Sequence, residues 1–393
     1  MIEVGRTVRD WNRRYGVRKT CERVQEAFDN NQIDKYKGVT LGGLAQGLLG
    51  YNWRDIVTRP VHVLEATEAQ DASAFAHITG QLLVTIVQEQ YKAPEFIGDR
   101  VVDTIDEPIP VNMGVHKVPK ISQVVDGPSL VEPGMPYQAS RLVEDWVSYP
   151  AVGKYGEIMN VTLEAVMTDR TGQIQDTAAK LGYRARYDLE EQQLSVVLGI
   201  TNNFSWKDTG YTTYLSSGSN WINKSTGQVV TGATFQIINN VEQLFAQITD
   251  PYTGKVIAVN PTGLLCMPES KYDFKNMLRA TTVRIGSFGT TNPNRQGEAP
   301  NPLDVEYPLL TSKIARQLLI NSGVSSANVV NYWYLADWKK AFVYRQMLPW
   351  TVIEAPPGNP SDFEQDIVMR VKVRRMGQTG VKDPRYAAQS INA

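Results

Sequence analysis

The chain has 393 residues, 42% of them hydrophobic and 21% charged, which is enough to build two or three compact units with cores. Its 40 basic and 41 acidic residues nearly cancel, so the charge gives no reason to invoke nucleic acid or a membrane as an obligate partner. The two cysteines, Cys21 and Cys266, lie far apart without a CxxC pair, which excludes a disulfide-dense framework and fits a reducing cytoplasm.

The part of the chain before Pro94 is predicted to be helical. Apolar residues recur at the spacing of one helix face at Val17, Cys21, Val24 and Phe28. Thr40 is expected to cap a second helix, and a third helix begins near Asp71 and must stop before Pro94. The longest apolar run, 82–87, is far shorter than the ~20 residues of a membrane-spanning helix, and no apolar signal region follows the basic N-terminus. We therefore expect neither a membrane segment nor an export signal.

The next segment, 94–150, holds eight of the 21 prolines and few large apolar residues. A structureless stretch of this length is unusual inside a compact domain, where loops beyond ~12–15 residues are uncommon. It is therefore either a linker between domains or an extended arm that lies on a neighbouring subunit. The pattern favours the arm, whose ordering cost would be met by burial between subunits.

A strand followed by a long helix comes next. Over 161–167, apolar side chains alternate along the chain and predict a strand with one apolar face. Thr168 or Asp169 is expected to cap a helix over 170–198, which Gly199 ends. At ~1.5 Å per residue this helix is about 40–45 Å long, so it indicates an architectural element rather than one wall of a pocket.

Two features of this helix carry further predictions. Gly182 in its interior costs roughly 1 kcal/mol relative to alanine, which is tolerable only where tertiary packing holds the helix. Two pairs of opposite charge stand four residues apart and are expected on wetter faces, Arg184 with Asp188 and Arg186 with Glu190.

Beyond residue 200 the pattern predicts one mixed α/β domain up to residue 335, followed by a tail of strands. Helices are predicted over 235–248, over 268–278, and from a cap at Thr311 or Ser312 to Gly323. Strands are predicted over 255–260, 263–267, 328–335, 341–347, 350–354 and 366–375.

The sequence lacks the patterns of an enzyme site. The three histidines, His62, His77 and His116, show neither HExxH nor another two-histidine metal spacing, and no GxSxG, Walker or GxGxxG motif occurs. The acidic clusters at 103–107 and 188–191 resemble solvated faces more than a paired acid and base. We therefore assign no catalytic, cofactor-binding or metal-binding residue and expect neither enzyme activity nor a cofactor.

The order of the predicted elements resembles that of the major capsid proteins of tailed bacteriophages, which share the Hong Kong ninety-seven type fold with encapsulin shells. The resemblance rests on a helical N-terminal arm, a long extended loop, a strand that leads into a long spine helix, an α/β domain and a final return of the chain. The most similar pieces are Gly156-Glu157-Ile158, Val161-Thr162-Leu163-Glu164-Ala165, Thr171-Gly172, Leu198-Gly199, and the return through Phe342-Val343-Tyr344-Arg345, Phe363 and Asp366 to Gly377.

This resemblance implies an α+β fold of the Hong Kong ninety-seven type in four parts. Residues 1–95 would form the helical N-terminal arm, and residues 96–167 the extended loop and strand. Residues 168–200 together with 336–393 would form the peripheral domain that contains the spine helix. Residues 201–335 would form the α/β axial domain.

The resemblance also implies the function of a major capsid protein. Many copies, arranged as pentamers and hexamers, would self-assemble into the icosahedral shell of the virion, which encloses double-stranded phage DNA. Assembly would take place in the cytoplasm of the host bacterium with a separate scaffold, a portal and, in some shells, decoration proteins. Two alternatives stay open, namely the shell of an encapsulin-like protein compartment and, from a different class, a hydrolase or carbohydrate-binding α/β protein.

Two basic patches bear on a DNA contact. One comprises the N-terminal arginines between residues 6 and 23, and the other is the run Arg370, Lys372, Arg374 and Arg375. They could contact phosphates of packaged DNA without reading sequence, or they could be ordinary solvent-facing or intersubunit charge. No aromatic stacking platform accompanies them, which favours the second interpretation.

Overall fold

A computed structural model of the chain describes isolated positions before residue 82 and most of the chain thereafter. The described ranges are 82–93, 95–108, 114–119, 130–137, 145–168, 173–218, 221–231, 235–285, 297–301, 303, 307–355 and 366–392. Helices and sheets both contribute extensively, so the predicted α+β class is confirmed. The order of elements is also the one predicted, with a long helix followed by a mixed unit and C-terminal strands.

The chain divides into two compact units. The first unit comprises Met1–Pro94, Lys154–Asp188 and Leu348–Met376. The second unit comprises Glu95–Gly153, Leu189–Met347 and Gly377–Ala393.

Eight helices can be delimited in the described residues. They are α1 (82–91), α2 (Gly98–Val101), α3 (Leu163–Thr168), α4 (Gln173–Val197), α5 (Gln236–Gln247), α6 (Lys271–Arg279), α7 (Lys313–Asn321) and α8 (Trp338–Ala341). Three short 3-10 turns accompany them at Pro268–Ser270, Val329–Asn331 and Pro384–Tyr386.

The strands of the described residues form four sheets. The strands are β1 (Asp103–Asp106), β2 (His116–Pro119), β3 (Trp146–Tyr149), β4 (Gly153–Thr162), β5 (Phe204–Trp206), β6 (Thr209–Tyr211), β7 (Lys224–Thr226), β8 (Gly263–Cys266), β9 (Thr282–Ile285), β10 (Gly297–Pro300), β11 (Leu309–Thr311), β12 (Trp333–Ala336), β13 (Phe342–Ala355), β14 (Ile367–Val381) and β15 (Ala387–Ile391). Their orders are β1-β13-β14-β4, β2-β3-β5-β6, β11-β8-β12-β15-β7 and the pair β10-β9.

The core of the first unit forms around α1, α4 and β14. Fully buried side chains include Leu83 and Val87 on α1, Ala178 on α4 and Val371 on β14. Tyr91 stacks on Trp350 with ring centroids 4.4 Å apart. The apolar stripes of two helices and the inner face of β14 thereby exclude water from one another, which is the main stabilising contribution to this unit.

Gly182 allows the close approach of α4 and α1. A Cβ atom built on Gly182 would lie 2.2 Å from the carbonyl oxygen of Val87. Any side chain there would overlap the backbone of the neighbouring helix, so glycine is required despite its low helix propensity. The prediction that tertiary packing holds the helix at this position is confirmed.

Glu354 at the end of β13 gives the first unit a pH-dependent stability. Its carboxyl group lies against the backbone of Gly80, and burial raises the pKa of Glu354 from 4.5 to about 7. Between pH 4.5 and 7 the folded state therefore binds more protons than the unfolded chain, so stability falls as the pH rises through this window. We expect Glu354→Gln to be more stable than the parent at pH 8 by on the order of 1 kcal/mol after solvent screening, and equal to it near pH 4.

The comparison that tests this is urea unfolding of the Glu354→Gln and parent chains at pH 4, 6 and 8. A difference between the two chains that does not change with pH would contradict the assignment.

The core of the second unit lies on the five-stranded sheet. Trp333 of β12 is fully buried and packs on Phe274 of α6 with ring centroids 5.2 Å apart. β12 is antiparallel to both β8 and β15, with Trp333 opposite Cys266 and Ser390. Helix α5 supplies the buried side chains Ile238 and Val241. This confirms the predicted helices over 235–248 and 268–278 and the strand at 263–267.

Several predicted caps and ends are confirmed. Ser312 accepts a hydrogen bond from the N–H of Ala315, so Ser312 rather than Thr311 caps α7. Gly199 has a φ of +73°, and its N–H and that of Ile200 donate to the carbonyls of Val196 and Ser195 at the end of α4. These bonds satisfy the last carbonyl groups of the helix in the manner expected of a glycine at this position.

The predicted end of the strand over 161–167 is wrong. Strand β4 stops at Thr162, and α3 begins at Leu163. Val166, which was expected on the polar face, is fully buried. The residues that follow Thr162 are mostly strong helix formers, and Thr162 Oγ1 accepts a hydrogen bond from the N–H of Ala165, 3.4 Å away. Thr168 is accordingly helical rather than a cap, and Asp169 lies outside the described residues.

Three predictions in the C-terminal half are also corrected. Residues 255–260 contribute one isolated bridge, Thr249 to Val256, instead of a strand. Residues 328–335 begin with a 3-10 turn, and the strand starts at Trp333. The tail contains a further strand, β15, which pairs with β12 and β7, so its residues belong to the five-stranded sheet rather than to the part that was predicted to contain the spine helix.

The predicted helix face Val17, Cys21, Val24 and Phe28, the predicted cap Thr40 and the predicted helix start Asp71 lie outside the described residues. Helical positions among 7–26 and at 45, 46, 49 and 53 agree with a helical N-terminal part. Helix α1 confirms the end of the third predicted helix before Pro94.

Candidate assembly surface

An exposed apolar segment, 130–137, is the most unusual surface of the described residues. Leu130 is 98% exposed, Tyr137 89% and Met135 63%. An exposed large apolar side chain forgoes the free energy that it would gain by burial, which is about 1.5–3 kcal/mol per side chain. Contiguous exposed apolar groups of this kind mark a surface for contact with another molecule.

The backbone of this segment suits docking rather than independent folding. Gly134 has a φ of +88°, and the N–H of Met135 donates to the carbonyl of Glu132 in a turn. Pro133 and Pro136 lack an N–H and have a fixed φ, so they lower the entropy that an extended segment loses when it is bound. The segment therefore presents a stiff apolar turn.

The chain before this segment is anchored in the second unit by Glu190 of α4. Its carboxylate accepts hydrogen bonds from the N–H groups of Ile97 (2.8 Å) and Gly98 (2.8 and 3.0 Å). Glu190 is fully buried, and a Cβ atom on Gly98 would lie 1.9 Å from Oε1 of Gln193. A buried carboxylate that accepts backbone hydrogen bonds at the start of a short helix is a charge-assisted anchor for α2. The expectation that Glu190 lies on a wetter face of the helix is wrong.

A second anchor follows at β1, which pairs in parallel with β13. The guanidinium of Arg345 forms a two-pronged ion pair with the carboxylate of Glu107, and Gln346 donates to Asp106 at 2.7 Å. Asp103 lies 3.8 Å from Nζ of Lys382. These three acids hold β1 in place, so the acidic cluster at 103–107 is structural, and it is less solvated than its sequence indicates.

The chain after the segment returns through β3. Tyr149 of β3 lies beneath the guanidinium of Arg345, 5.0 Å from ring centroid to Cζ. Burial raises the pKa of Tyr149 to about 12, so its hydroxyl is neutral. A Cβ atom on Gly380 would lie 2.5 Å from this ring, and glycine there makes the close packing possible. Residues 95–108 and 145–150, which the sequence assigned to a linker or an extended arm, pack into the second unit.

Replacing Glu190 tests the first anchor. Glu190→Gln replaces one accepting carboxylate oxygen with an NH₂ group, which cannot accept a hydrogen bond from the N–H groups of Ile97 and Gly98. We therefore expect the free energy of unfolding to fall by about 1–3 kcal/mol. Asp188→Asn is the matched control because Asp188 is exposed on the same helix, and we expect a change within about 0.5 kcal/mol. Chemical unfolding of the unassembled full chain measures both. Equal stability of the two variants would contradict the anchoring role.

Strand β4 supplies a second candidate contact surface, within the first unit. Residues 154–158 are exposed, including Tyr155 and Ile158 at 40% and 55%. β4 is an edge of its sheet in the described residues, since the strand order ends there. Edge strands offer unpaired backbone groups to another chain.

The residues considered for chemistry do not come together in the described part of the chain. His116 lies on β2 opposite Tyr149, whereas His62 and His77 lie outside the described residues. Within the described ranges no group of three or more His, Cys, Asp or Glu side chains could hold a metal ion. Burial raises the pKa of the Cys266 thiol to about 12, which makes it unreactive, and Cys21 is not described. None of the described helices is long and apolar enough to cross a bilayer.

The predicted basic run on β14 is not a freely exposed cationic face. Arg370, Lys372 and Arg374 are half-buried, and Arg375 is 3% exposed and lies 4.3 Å from the ring centroid of Tyr155. The choice between a contact with DNA and ordinary solvent-facing or intersubunit charge stays a prediction. At the N-terminus, Arg23 lies 4.0 Å from the ring centroid of Tyr15.

One comparison with known proteins identifies the family of the chain. The profile of the family described as "Phage capsid protein" matches residues 147–390, which is more than half of the chain. The chain belongs to the phage capsid protein family. The predicted recognition of a phage major capsid protein, the shell-forming component of a virion, is thereby confirmed.

Other comparisons add context to the capsid assignment. No curated protein matches the sequence. Among solved structures, the capsid of the cyanophage P-SCSP1u is 12% identical, with 76% of this chain and 88% of that chain covered and a TM-score of 0.47. The capsid of a native GTA particle is 10% identical, with coverages of 77% and 91% and a TM-score of 0.47. The virus-like particle of Pyrococcus furiosus is 11% identical, with coverages of 79% and 99% and a TM-score of 0.42. The family match alone carries the assignment.

Membership of the capsid family offers a reason for the exposed apolar segments. A capsid subunit must bury surface against several copies of itself, and the apolar turn 130–137 and the edge strand β4 are surfaces of the required kind. From the prolines of 94–150, sequence reasoning predicted a linker or an extended arm, and the turn lies inside this stretch without having been predicted itself. It missed Glu190 as an anchor, because a charged helix residue has the same sequence pattern whether it is solvated or buried.

Proposed function

We propose that many copies of this capsid protein assemble, as pentamers and hexamers, into an icosahedral shell that encloses double-stranded phage DNA. The family match over 147–390 supports the shell, and the exposed apolar turn 130–137 supports assembly through contacts between copies. Weak contacts repeated over many subunits give a stable container without any single strong interface.

We further propose that the turn docks on a neighbouring copy. The chain is held by Glu190 and by the Arg345–Glu107 ion pair before the turn and by β3 after it, and residues 120–129 and 138–144 on either side of the turn lie outside the described residues. Within the turn, Pro133 and Pro136 restrict the backbone, which lowers the entropy lost on binding.

The remaining parts of the proposal follow from the family. Assembly takes place in the host cytoplasm with a separate scaffold and a portal, and some shells carry decoration proteins. The four-part division into a helical arm (1–95), an extended loop (96–167), a peripheral domain (168–200 with 336–393) and an axial domain (201–335) is part of the same proposal, with β15 reassigned to the axial sheet. The capsid subunit acts as a structural protein, and we assign no chemical step to it.

Electron microscopy and light scattering of the purified full chain test the assembly. We expect shells, capsomer rings or sheets at micromolar concentration, and nuclease-resistant double-stranded DNA inside particles recovered from infected cells. A chain that stays a monomer or a small discrete oligomer at every concentration, or particles that contain protein cargo and no DNA, would overturn the proposal.

A further inference from the structure

The second unit has a cleft of about 450 Å³ beside α6 whose charged lining is entirely basic in the described residues. Its walls are Lys271, Lys275, Leu278, Arg279, Tyr307, Pro308 and Leu309.

The three cations of the cleft form one row along α6. Lys271, Lys275 and Arg279 stand four residues apart, so successive side chains emerge on one face with a rise of about 6 Å per step. The row is therefore about 12 Å long. Asp273, the one acid on this helix, lies about 200° around the helix axis from Lys271 and does not face the cleft.

The ammonium groups of the two lysines are available for a ligand. Lys271 and Lys275 are both exposed, and neither forms an ion pair with any residue that the structure describes. Two nearby described acids are engaged elsewhere, because Glu269 pairs with Arg316 and Glu242 accepts a hydrogen bond from the hydroxyl of Tyr307 at 2.6 Å. Asp304 and Glu306, which precede Tyr307 in the sequence, lie outside the described residues.

The opposite wall of the cleft is firm and neutral. Tyr307 is 6% exposed, and burial raises the pKa of its hydroxyl well above the usual value, so it stays protonated and donates to Glu242. Pro308 and Leu309 continue this wall into β11. The described lining of the cleft therefore combines the row of three cations with these uncharged residues.

We propose that this cleft binds the sugar-phosphate backbone of nucleic acid without reading its sequence. A row of cations 12 Å long exceeds a single phosphate, and a strand that advances ~3.4 Å per nucleotide along the helix axis places more than one phosphate beside it. Lysine binds phosphate as a point charge and makes no base-specific fork, so the contact is sequence-blind. This inference rests on the proposed function, because the ligand is the packaged DNA. It identifies the cleft as the surface of the subunit that contacts this DNA.

The test measures binding of a fluorescent 30-base-pair DNA of mixed sequence to the full chain kept below its assembly concentration, between 50 and 300 mM salt. The double variant Lys271→Gln and Lys275→Gln is compared with the double variant Lys255→Gln and Lys313→Gln, which removes the same charge from exposed positions away from the cleft. We expect the cleft variant to bind at least tenfold more weakly than the control at 100 mM salt. We also expect its slope of log affinity against log salt to be shallower by about two.

Three outcomes would overturn this inference. The first is equal affinity and equal salt slope for the two variants, and the second is a marked preference for one DNA sequence over a scrambled one. The third is displacement of DNA by polyglutamate or inorganic phosphate at the same phosphate or carboxylate concentration. The last result would assign the cleft to an acidic peptide or to free phosphate. Assembly is followed separately by light scattering. If both variants form shells and the cleft variant keeps its affinity for DNA, the inference about the cleft fails, whereas the proposed shell function is supported. If the parent chain forms no shell, the proposed function fails whatever the DNA result.

Discussion

Gly182→Ala is expected to lower the free energy of unfolding by about 2–3 kcal/mol, although alanine is the better helix former. The added methyl group would lie 2.2 Å from the carbonyl oxygen of Val87, and both atoms belong to rigid helices that cannot move independently of the core. Helix propensity alone predicts a gain of roughly 1 kcal/mol, so the sign of the change separates the two effects. Urea unfolding of the unassembled chain measures it.

The control for this substitution is Arg184→Ala, two residues along the same helix at an exposed position. We expect that variant to stay within about 0.5 kcal/mol of the parent. A Gly182→Ala chain as stable as the control, or more stable, would show that α1 and α4 are not in close contact at this point.

The double variant Leu130→Asp and Tyr137→Asp is expected to abolish shell assembly and leave the fold of the subunit intact. Both side chains are almost fully exposed, so the subunit loses little by their replacement. If they are buried against a neighbouring copy, each contributes about 1.5–3 kcal/mol to every contact. Their loss then raises the concentration needed for assembly more than 100-fold. Light scattering against protein concentration measures this, and circular dichroism confirms that the fold is kept.

The matched control replaces two other exposed apolar residues, Val229 and Val256, with aspartate. The two valines are 51% and 59% exposed, and their replacement adds the same negative charge outside the turn. We expect the control to assemble at nearly the parental concentration. Assembly of the turn variant at the concentration of the control would remove the turn from the subunit contact.

Much of the fold followed from local patterns in the sequence. Helix α4 was predictable because its apolar stripe persists over about seven turns and Gly199 ends it. Strand β14 was predictable because the apolar residues Met369, Val371 and Val373 alternate with Arg370, Lys372 and Arg374. These elements carry enough residues for periodicity to be unambiguous.

Short elements were harder, for physical reasons. Alternation over 161–167 covers so few residues that it fits a strand or the first turns of a helix, and the helix propensity of the residues after Thr162 decides the outcome. Strand β15 has the sequence AAQSI, with little β propensity of its own. It is a strand because β12 and β7 pair with it on both sides, which is a tertiary effect that no local pattern contains.

The candidate surface was foreseen in part. Its prolines predicted an extended arm, and the exposed turn 130–137 agrees with that prediction. The anchors were not foreseen, because Glu190 meets Ile97 and Gly98 across more than 90 residues of sequence, and Arg345 meets Glu107 across more than 200. The basic row on α6 was present in the sequence at a spacing of four, yet its significance depends on the cleft, which tertiary structure alone creates.

The most direct test of the account is a high-resolution electron microscopy map of the assembled particle. We predict that Leu130, Met135 and Tyr137 are buried against a neighbouring copy of the chain, with less than a tenth of each side chain exposed. A map in which an intact shell leaves these three side chains in solvent, or folds them onto their own subunit, would contradict the claim that this turn joins the copies.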